Sequence, residues 1–186
     1  MERHRLKPGA YGVVTLHRPA NVDDPQTLEA LAEALSTVAQ WLPLVFPVHP
    51  RTEAALSKLR LSEQVVLVPP AGYLDFIALQ ADASLVLTDS GGIQEETTVL
   101  GVPCLTLRDN TERPITVSEG TNRVIGRDPE RIVNAVKDLL ADPPAPRRPA
   151  LWDGRAGGRI AEVILRGGRA GGRRRPTDEA QEQVRP

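Results

Sequence analysis

The sequence predicts an α/β fold built on a single doubly wound parallel β-sheet. Short apolar runs alternate with stretches of helical periodicity from residue 11 to residue 142. The apolar runs are continuous rather than alternating, as expected for strands that helices cover on both faces. Repeated strand–helix order then favours parallel strands joined by right-handed crossovers.

Six strands and six helices follow from this pattern. Strands are predicted at residues 11–16, 44–48, 65–68, 85–88, 103–107 and 123–125. Helices are predicted at residues 25–38, 52–59, 73–81, 91–100, 129–140 and 159–165. Asp24 and Pro25 supply an N-cap and a proline at the first helical position, and Gly101 stops the fourth helix. On the third helix we expect Leu74, Ile77 and Ala78 to face inward.

Composition excludes several classes of protein. Aromatic residues make up only 3% of the 186 residues, which argues against stacking platforms for nucleic acid. No apolar run reaches the roughly 20 residues that span a bilayer, and the polar N-terminus lacks the apolar core of a secretory signal. The single cysteine, Cys104, excludes an internal disulfide and fits a cytoplasmic location.

Charge is unevenly distributed along the chain. Residues 1–146 carry 13 Lys and Arg against 19 Asp and Glu, a net charge of −6, whereas residues 147–186 carry 10 Arg against 5 acids. The predicted folded part is therefore acidic, and we expect no nucleic-acid binding by it and no membrane association.

The segment DSGGIQEE (residues 89–96) joins a buried strand to a helix N-terminus. Free backbone N–H groups and the helix dipole favour an anion there, and two glycines let a diphosphate approach the backbone. Glu96 lies one turn beyond Gly92, where a carboxylate could accept hydrogen bonds from both hydroxyls of a ribose. The alternative is that Gly91 and Gly92 only make a tight turn.

Three further polar segments follow predicted strands and therefore share the same sheet edge. His17 and Arg18 follow the first strand, where His17 could act as an acid or base or could simply satisfy loop backbone. His49 follows the second strand, with the same two interpretations. Arg113 lies after the fifth strand and could reach a phosphate, or it could form a surface ion pair with Glu112 or Asp109.

No histidine pair has metal-ligand spacing, and the phosphate loop of triphosphate hydrolases is absent from the sequence. We therefore expect neither a metal nor a cofactor.

Taken together, these segments resemble the C-terminal domain of the non-hydrolysing UDP-N-acetylglucosamine 2-epimerases. The resemblance covers about residues 8–165. It is carried by TLHRPANVD (15–23), PVHP (47–50), LTDSGGIQEE (87–96), GVPCL (101–105), RDNTERP (108–114) and EGTN (119–122). It implies a Rossmann-like domain that forms the C-terminal half of a two-domain fold of the GT-B glycosyltransferase type.

The resemblance also implies roles for individual residues. Ser90, Gly91 and Gly92 would bind the diphosphate of UDP, and Glu96 the ribose. Arg18 and Arg113 would add contacts on the phosphate side, and Phe76 would lie beside the uracil through its backbone. His17 would be a catalytic residue near the leaving diphosphate, and His49 a contact of an allosteric second substrate molecule.

The reaction implied by the resemblance is the conversion of UDP-GlcNAc to UDP-ManNAc, as used in the biosynthesis of cell-envelope polysaccharides. UDP leaves carbon 1 while the proton on carbon 2 is removed, and UDP then adds back with the opposite configuration at carbon 2. In the family, the acidic residues thought to move that proton belong to an N-terminal domain. We therefore expect this chain to bind UDP and to need the N-terminal half, on another chain or in a longer gene product, for turnover. As partners we expect such a separate half or a second copy of this chain in a homodimer.

The corresponding domain organisation has four parts: residues 1–10 as a remnant of an interdomain linker, 11–142 as the UDP-binding domain, 143–166 as a linker with a C-terminal helix, and 167–186 as a disordered Gly/Arg-rich tail. Three alternatives stay open at this stage. One is a non-catalytic module that binds or senses a nucleotide sugar, another is a glycosyltransferase C-terminal domain, and the last is a relic without a stable independent role.

Overall fold

A six-stranded parallel sheet forms the centre of the computed structural model, which describes residues 7–48 and 50–170. The strands are β1 (Gly12–Thr15), β2 (Leu44–Pro47), β3 (Val65–Val68), β4 (Leu85–Thr88), β5 (Cys104–Thr106) and β6 (Asn122–Val124). Their order across the sheet is β3-β2-β1-β4-β5-β6, and every neighbouring pair is parallel. This order is that of a doubly wound, Rossmann-like sheet, so the predicted fold class is confirmed.

Eight helices connect or follow these strands in the described residues. They are α1 (Pro19–Val22), α2 (Pro25–Val38), α3 (Pro50–Leu56), α4 (Tyr73–Ala81), α5 (Gly91–Leu100), α6 (Pro114–Ser118), α7 (Pro129–Ala141) and α8 (Ala156–Ala170). The short helices α1 and α6 were not predicted. Each begins with a proline, and each has an arginine, Arg18 or Arg113, as its N-cap residue.

Buried side chains lie on both faces of the sheet. On one face, Val14, Phe46 and Leu87 pack in a cluster with residues of α2 and α7. On the other face, Val13 and Val86 pack in a second cluster against residues of α4 and α5. Successive residues of β1 and β4 point to opposite faces, which explains why these strands are apolar throughout.

The inward face of α4 differs from the predicted one. Leu74 is 80% exposed and Ala78 is also exposed, whereas Phe76 and Leu79 pack against the core and Gln80 is fully buried. The prediction was wrong for Leu74 and Ala78 because α4 is apolar almost all round, so that apolar spacing alone did not fix its orientation. The observed face, at positions 76, 79 and 80, has the usual helical spacing.

The ends of α2 and α5 follow the predicted signals. The Asp24 carboxylate accepts a hydrogen bond from the Thr27 amide (3.0 Å), so it caps α2 as expected. Gly101 ends α5 with a φ of 76°, in the left-handed region that favours glycine.

The chain divides into two compact units, residues 1–149 and 150–186. In the first unit, Arg147 and Arg148 donate hydrogen bonds to the backbone oxygens of Ser118 and Val99, which ties the proline-rich segment to the sheet domain. In the second unit, α8 begins three residues before the predicted helix and continues to Ala170, across the predicted start of the tail at Gly167. Residues 171–186, the remainder of that predicted tail, lie outside the described residues.

No helix within residues 7–48 and 50–170 has the length and apolar character needed to cross a membrane.

Candidate functional site

The strand order places the loops after β1 and β4 side by side. Between these two strands the order of strands across the sheet reverses, with β2 and β3 on one side and β5 and β6 on the other. β1 pairs with β4 in a register that sets Thr15 opposite Thr88, and their hydroxyl oxygens are 2.7 Å apart. The residues that follow these two threonines therefore meet at the carboxyl edge of the sheet. Such a switch point is where doubly wound sheets bind ligands.

Asp89 is the residue that organises this edge. Its carboxylate is fully buried and accepts hydrogen bonds from the backbone amides of His17 (3.1 Å) and Arg18 (2.9 Å) and from Asn21 Nδ2 (3.0 Å). The His17 Nδ1 atom lies 2.7 Å from the other carboxylate oxygen. One buried side chain thus fixes both the backbone of the loop after β1 and the orientation of its histidine.

The pairing with Asp89 changes the acid–base properties of both groups. The hydrogen bond to Asp89 raises the pKa of the His17 imidazole, and it outweighs burial and the charges of Arg18 and Arg108, which lower it. Burial by itself would raise the pKa of Asp89, but the hydrogen bonds from His17 and Arg18 lower it overall. Because the His17 side chain is 57% exposed, its Nε2 atom can face a ligand while Nδ1 is held by a carboxylate.

The N-terminus of α5 is open. Ser90 is the N-cap residue and its side chain makes no capping hydrogen bond, so the first amides of α5 are available to an anion. A Cβ built on Gly92 would lie 3.9 Å from Ser90 Oγ, and a Cβ on Gly91 would lie 4.0 Å from Arg113 Cγ. The protein itself therefore leaves room for a side chain at both positions, and a turn alone does not explain the glycines.

Arg113 lies beside this helix end. Its Nε atom is 2.8 Å from Glu95 Oε1, and its Nη1 atom donates to the backbone oxygen of Glu112 (3.3 Å), which leaves the Nη2 amino group for a ligand. The predicted alternative partners of Arg113 are both engaged elsewhere, since Glu112 pairs with Arg108 and Asp109 pairs with Arg127.

A buried polar network supports the loop that carries Arg113. Gln94 Oε1 accepts hydrogen bonds from Thr111 Oγ1 (2.5 Å) and from Asn122 Nδ2 (3.1 Å). Thr111 Oγ1 in turn accepts a hydrogen bond from the backbone amide of Arg113 (2.9 Å). The first turns of α5 and the loop after β5 are thus connected, and Arg113 is held near Gly91.

Glu96 lies one helical turn after Gly92 on the same face of α5. Its carboxylate is half-buried and accepts a hydrogen bond from Gln80 Nε2 of α4 (2.8 Å). A ligand with its phosphates at the start of α5 would therefore extend past this carboxylate.

The three remaining predicted site residues are Arg18, Phe76 and His49. Arg18 lines a cleft of about 390 Å³ next to His17, together with Asn21, Arg108 and Arg127. The Phe76 amide donates to the Gly72 carbonyl oxygen (2.8 Å), so this N–H is used within α4 and the contact of Phe76 with a base stays a prediction. His49 lies outside the described residues.

Sequence reasoning assigned no role to Asp89, Gln80 or Gln94. Asp89 had a recognisable signal, because an aspartate that directly follows a fully buried strand needs several hydrogen-bond donors. For Gln80 and Gln94 the signal is a glutamine on the inward face of a helix, which can be read only when that face is known. Among the described residues, no group of three or more His, Cys, Asp or Glu side chains is arranged to hold a metal.

Comparisons with known proteins identify the family of this chain. Residues 1–165 match the protein family described as UDP-N-acetylglucosamine 2-epimerase. The UDP-N-acetylglucosamine 2-epimerase of Methanocaldococcus jannaschii is 38% identical over 165 residues, which cover 84% of this chain and 45% of that protein. The UDP-2,3-diacetamido-2,3-dideoxy-D-glucuronate 2-epimerase of Pseudomonas aeruginosa is 38% identical over 155 residues, covering 83% of this chain and 44% of that protein.

The structure of the M. jannaschii UDP-GlcNAc 2-epimerase in complex with UDP-GlcNAc and UDP superposes with a TM-score of 0.71 at 36% identity, covering 86% of this chain and 46% of that one. The chain thus spans about half the length of the relatives that it matches. These matches favour the epimerase interpretation over the glycosyltransferase alternative.

Proposed function

Because the chain belongs to the UDP-N-acetylglucosamine 2-epimerase family, we propose that it binds the UDP moiety of UDP-GlcNAc during epimerisation to UDP-ManNAc. The observation that carries this proposal is the uncapped N-terminus of α5, where two glycines leave space that the fold does not need. Backbone amides there would hold the diphosphate, with the Ser90 hydroxyl as a further donor.

The neighbouring side chains complete a site for UDP. Arg113 would contact a phosphate through its Nη2 amino group, because Nε is paired with Glu95 and Nη1 with the backbone oxygen of Glu112. Glu96 would accept hydrogen bonds from the ribose hydroxyls, and the start of α4 around Phe76 would lie beside the uracil. Arg18 would add positive charge at the phosphate side, while His49 would contact a second substrate molecule.

His17 has the geometry of a group that assists the departure of UDP. As the bond between carbon 1 and the phosphate oxygen breaks, the bonding electrons go to UDP and negative charge grows on the diphosphate. An imidazole that Asp89 holds through Nδ1, with a raised pKa, would donate a hydrogen bond or a proton from Nε2 to that oxygen. The proton on carbon 2 would be taken by a carboxylate from the half of the relatives that this chain does not match.

Turnover would therefore require that other half, on a separate chain or in a longer protein. A second copy of this chain, in a homodimer, is a further partner that we propose. The site needs no cofactor and no metal in this scheme, and we place the activity in the cytoplasm.

The direct test of this function joins the N-terminal half of the M. jannaschii enzyme to this chain. We expect the fusion to incorporate solvent deuterium at carbon 2 of UDP-GlcNAc and to form UDP-ManNAc, whereas this chain alone should show negligible exchange. A fusion carrying His17→Gln is the matched control and should lose most of the exchange. A folded fusion that binds UDP but exchanges no deuterium would contradict the proposed reaction.

The affinity for UDP should also depend on pH through His17. Protonated His17 attracts the diphosphate, so affinity should fall as the pH rises through the raised pKa of this residue. Calorimetry from about pH 7.5 to about pH 9 measures this effect, since the terminal phosphate of UDP, with a pKa near 6, is almost fully ionised throughout that range. The His17→Gln variant should lose the dependence, and an identical pH profile in both proteins would count against the role of His17.

The same pair links folding to pH. The folded-state pKa of His17 is raised above its unfolded value of about 6.5. The contribution of His17 to the free energy of unfolding is therefore fully present at pH values below its unfolded-state pKa. It is lost as the pH rises through the folded-state pKa.

A further inference from the structure

We propose that Gln80 is a positioning residue that fixes the carboxylate of Glu96 for recognition of the ribose hydroxyls. The proposal rests on the function proposed above and adds a residue from α4 to the site. Gln80 lies 16 positions before Glu96 in the sequence, and its Nε2 atom donates to Glu96 Oε2 over 2.8 Å.

The buried amide of Gln80 is not a choice that favours the folding stability of the protein. Its side chain is fully buried on the inward face of α4, next to positions occupied by Phe76 and Leu79. Its Oε1 atom is also buried and has no hydrogen-bond partner among the described residues. A buried amide with one unsatisfied oxygen destabilises a protein relative to an apolar side chain of the same size.

The hydrogen bond to Glu96 also fixes which way the amide points. With the amide reversed, Oε1 would face the Glu96 carboxylate, and two acceptors would repel each other. The observed orientation is therefore the one that Glu96 imposes, and the unsatisfied Oε1 is its consequence.

The contact prepares Glu96 for two further donors. An ionised carboxylate has about four lone-pair positions, and Gln80 occupies one of them on Oε2. The carboxylate is held in one orientation before the ligand arrives, and its Oε1 atom, which has no hydrogen-bond partner within residues 7–48 and 50–170, is available to adjacent hydroxyls. Such preorganisation raises affinity because less side-chain entropy is lost on binding.

The test compares UDP with 2′,3′-dideoxyuridine diphosphate, which lacks both hydroxyls, in calorimetric titrations of the full chain. We expect the wild type to prefer UDP clearly and the Gln80→Met variant to bind UDP roughly three- to tenfold more weakly, because the Glu96 side chain must then lose its rotational freedom on binding. The affinity of Gln80→Met for the dideoxy analogue should equal that of the wild type. Glu96→Gln is the reference variant, because it removes the charge of the carboxylate itself. It should also lose the preference for UDP over the dideoxy analogue.

Each outcome has a distinct meaning. If the wild type does not bind UDP, the proposed function itself fails. If the wild type discriminates between the two ligands and Gln80→Met discriminates equally well, UDP binding stands and the role of Gln80 is refuted. Denaturation of Gln80→Met should show stability equal to or above that of the wild type, and failure of both Gln80→Met and Gln80→Leu to fold would assign Gln80 to stability and overturn the proposal.

Discussion

Replacing Gly92 with alanine should weaken UDP binding roughly a hundredfold while leaving the protein as stable as the wild type or more stable. The new methyl group would occupy the space through which the diphosphate approaches the first amides of α5. Losing one or two charge-assisted hydrogen bonds accounts for a factor of about this size. In the first turn of a helix alanine is favoured over glycine by up to about 1 kcal/mol. Apart from the chain neighbours and the helix's own backbone, the nearest described atom to the added Cβ is Ser90 Oγ at 3.9 Å.

Gly101→Ala provides a matched control at the opposite end of the same helix. Gly101 has a φ of 76°, and a Cβ there would approach Pro146 Cβ to 3.0 Å. This variant should lose about 1–2 kcal/mol of stability and keep the wild-type affinity for UDP. Calorimetry measures the UDP affinity of both variants, and urea denaturation measures their stability. We expect Gly92→Ala to lose affinity only and Gly101→Ala to lose stability only. Wild-type affinity in Gly92→Ala would refute the assignment of the phosphate site.

The largest loss of stability should come from Asp89→Asn. This change removes a buried carboxylate that accepts hydrogen bonds from two backbone amides, from Asn21 and from His17. An asparagine would direct two N–H groups at a site where every neighbour is a donor. We expect the free energy of unfolding to fall by about 2–4 kcal/mol, and UDP affinity to fall with it because the loop after β1 loses its anchor.

Asp109→Asn is the control for charge removal near the same edge. Asp109 is largely exposed and pairs with Arg127 at the surface, so its loss should change the free energy of unfolding by no more than about 0.5 kcal/mol. Denaturant titrations of both variants give the comparison. Equal losses in the two variants would mean that the Asp89 network contributes little.

The sheet and most helices could be predicted because their signals are local. A buried parallel strand needs a continuous apolar run, and β1, β2 and β4 each show one between turn residues. The cap at Asp24 and the stop at Gly101 are likewise set by a few adjacent residues. The meeting of the candidate residues at one edge of the sheet also followed from the sequence, since polar segments after parallel strands must share one edge.

The features that could not be predicted depend on contacts between distant segments. Asp89 binds the loop after β1 across about seventy residues of sequence, and only the adjacency of β1 and β4 makes this contact possible. The inward face of α4 was missed because its apolar residues are compatible with more than one orientation. Once that face is known, the partnership of Gln80 with Glu96 follows from the packing of α4 against α5.

A calorimetric titration of UDP into the folded full chain, near neutral pH and at low ionic strength, tests the proposed site most directly. The geometry at the start of α5 predicts one UDP bound per chain, with binding weakened in Gly92→Ala and absent for uridine without phosphates. A chain that is cooperatively folded and shows no interaction with UDP, by calorimetry or by ligand-observed NMR, would contradict the assignment.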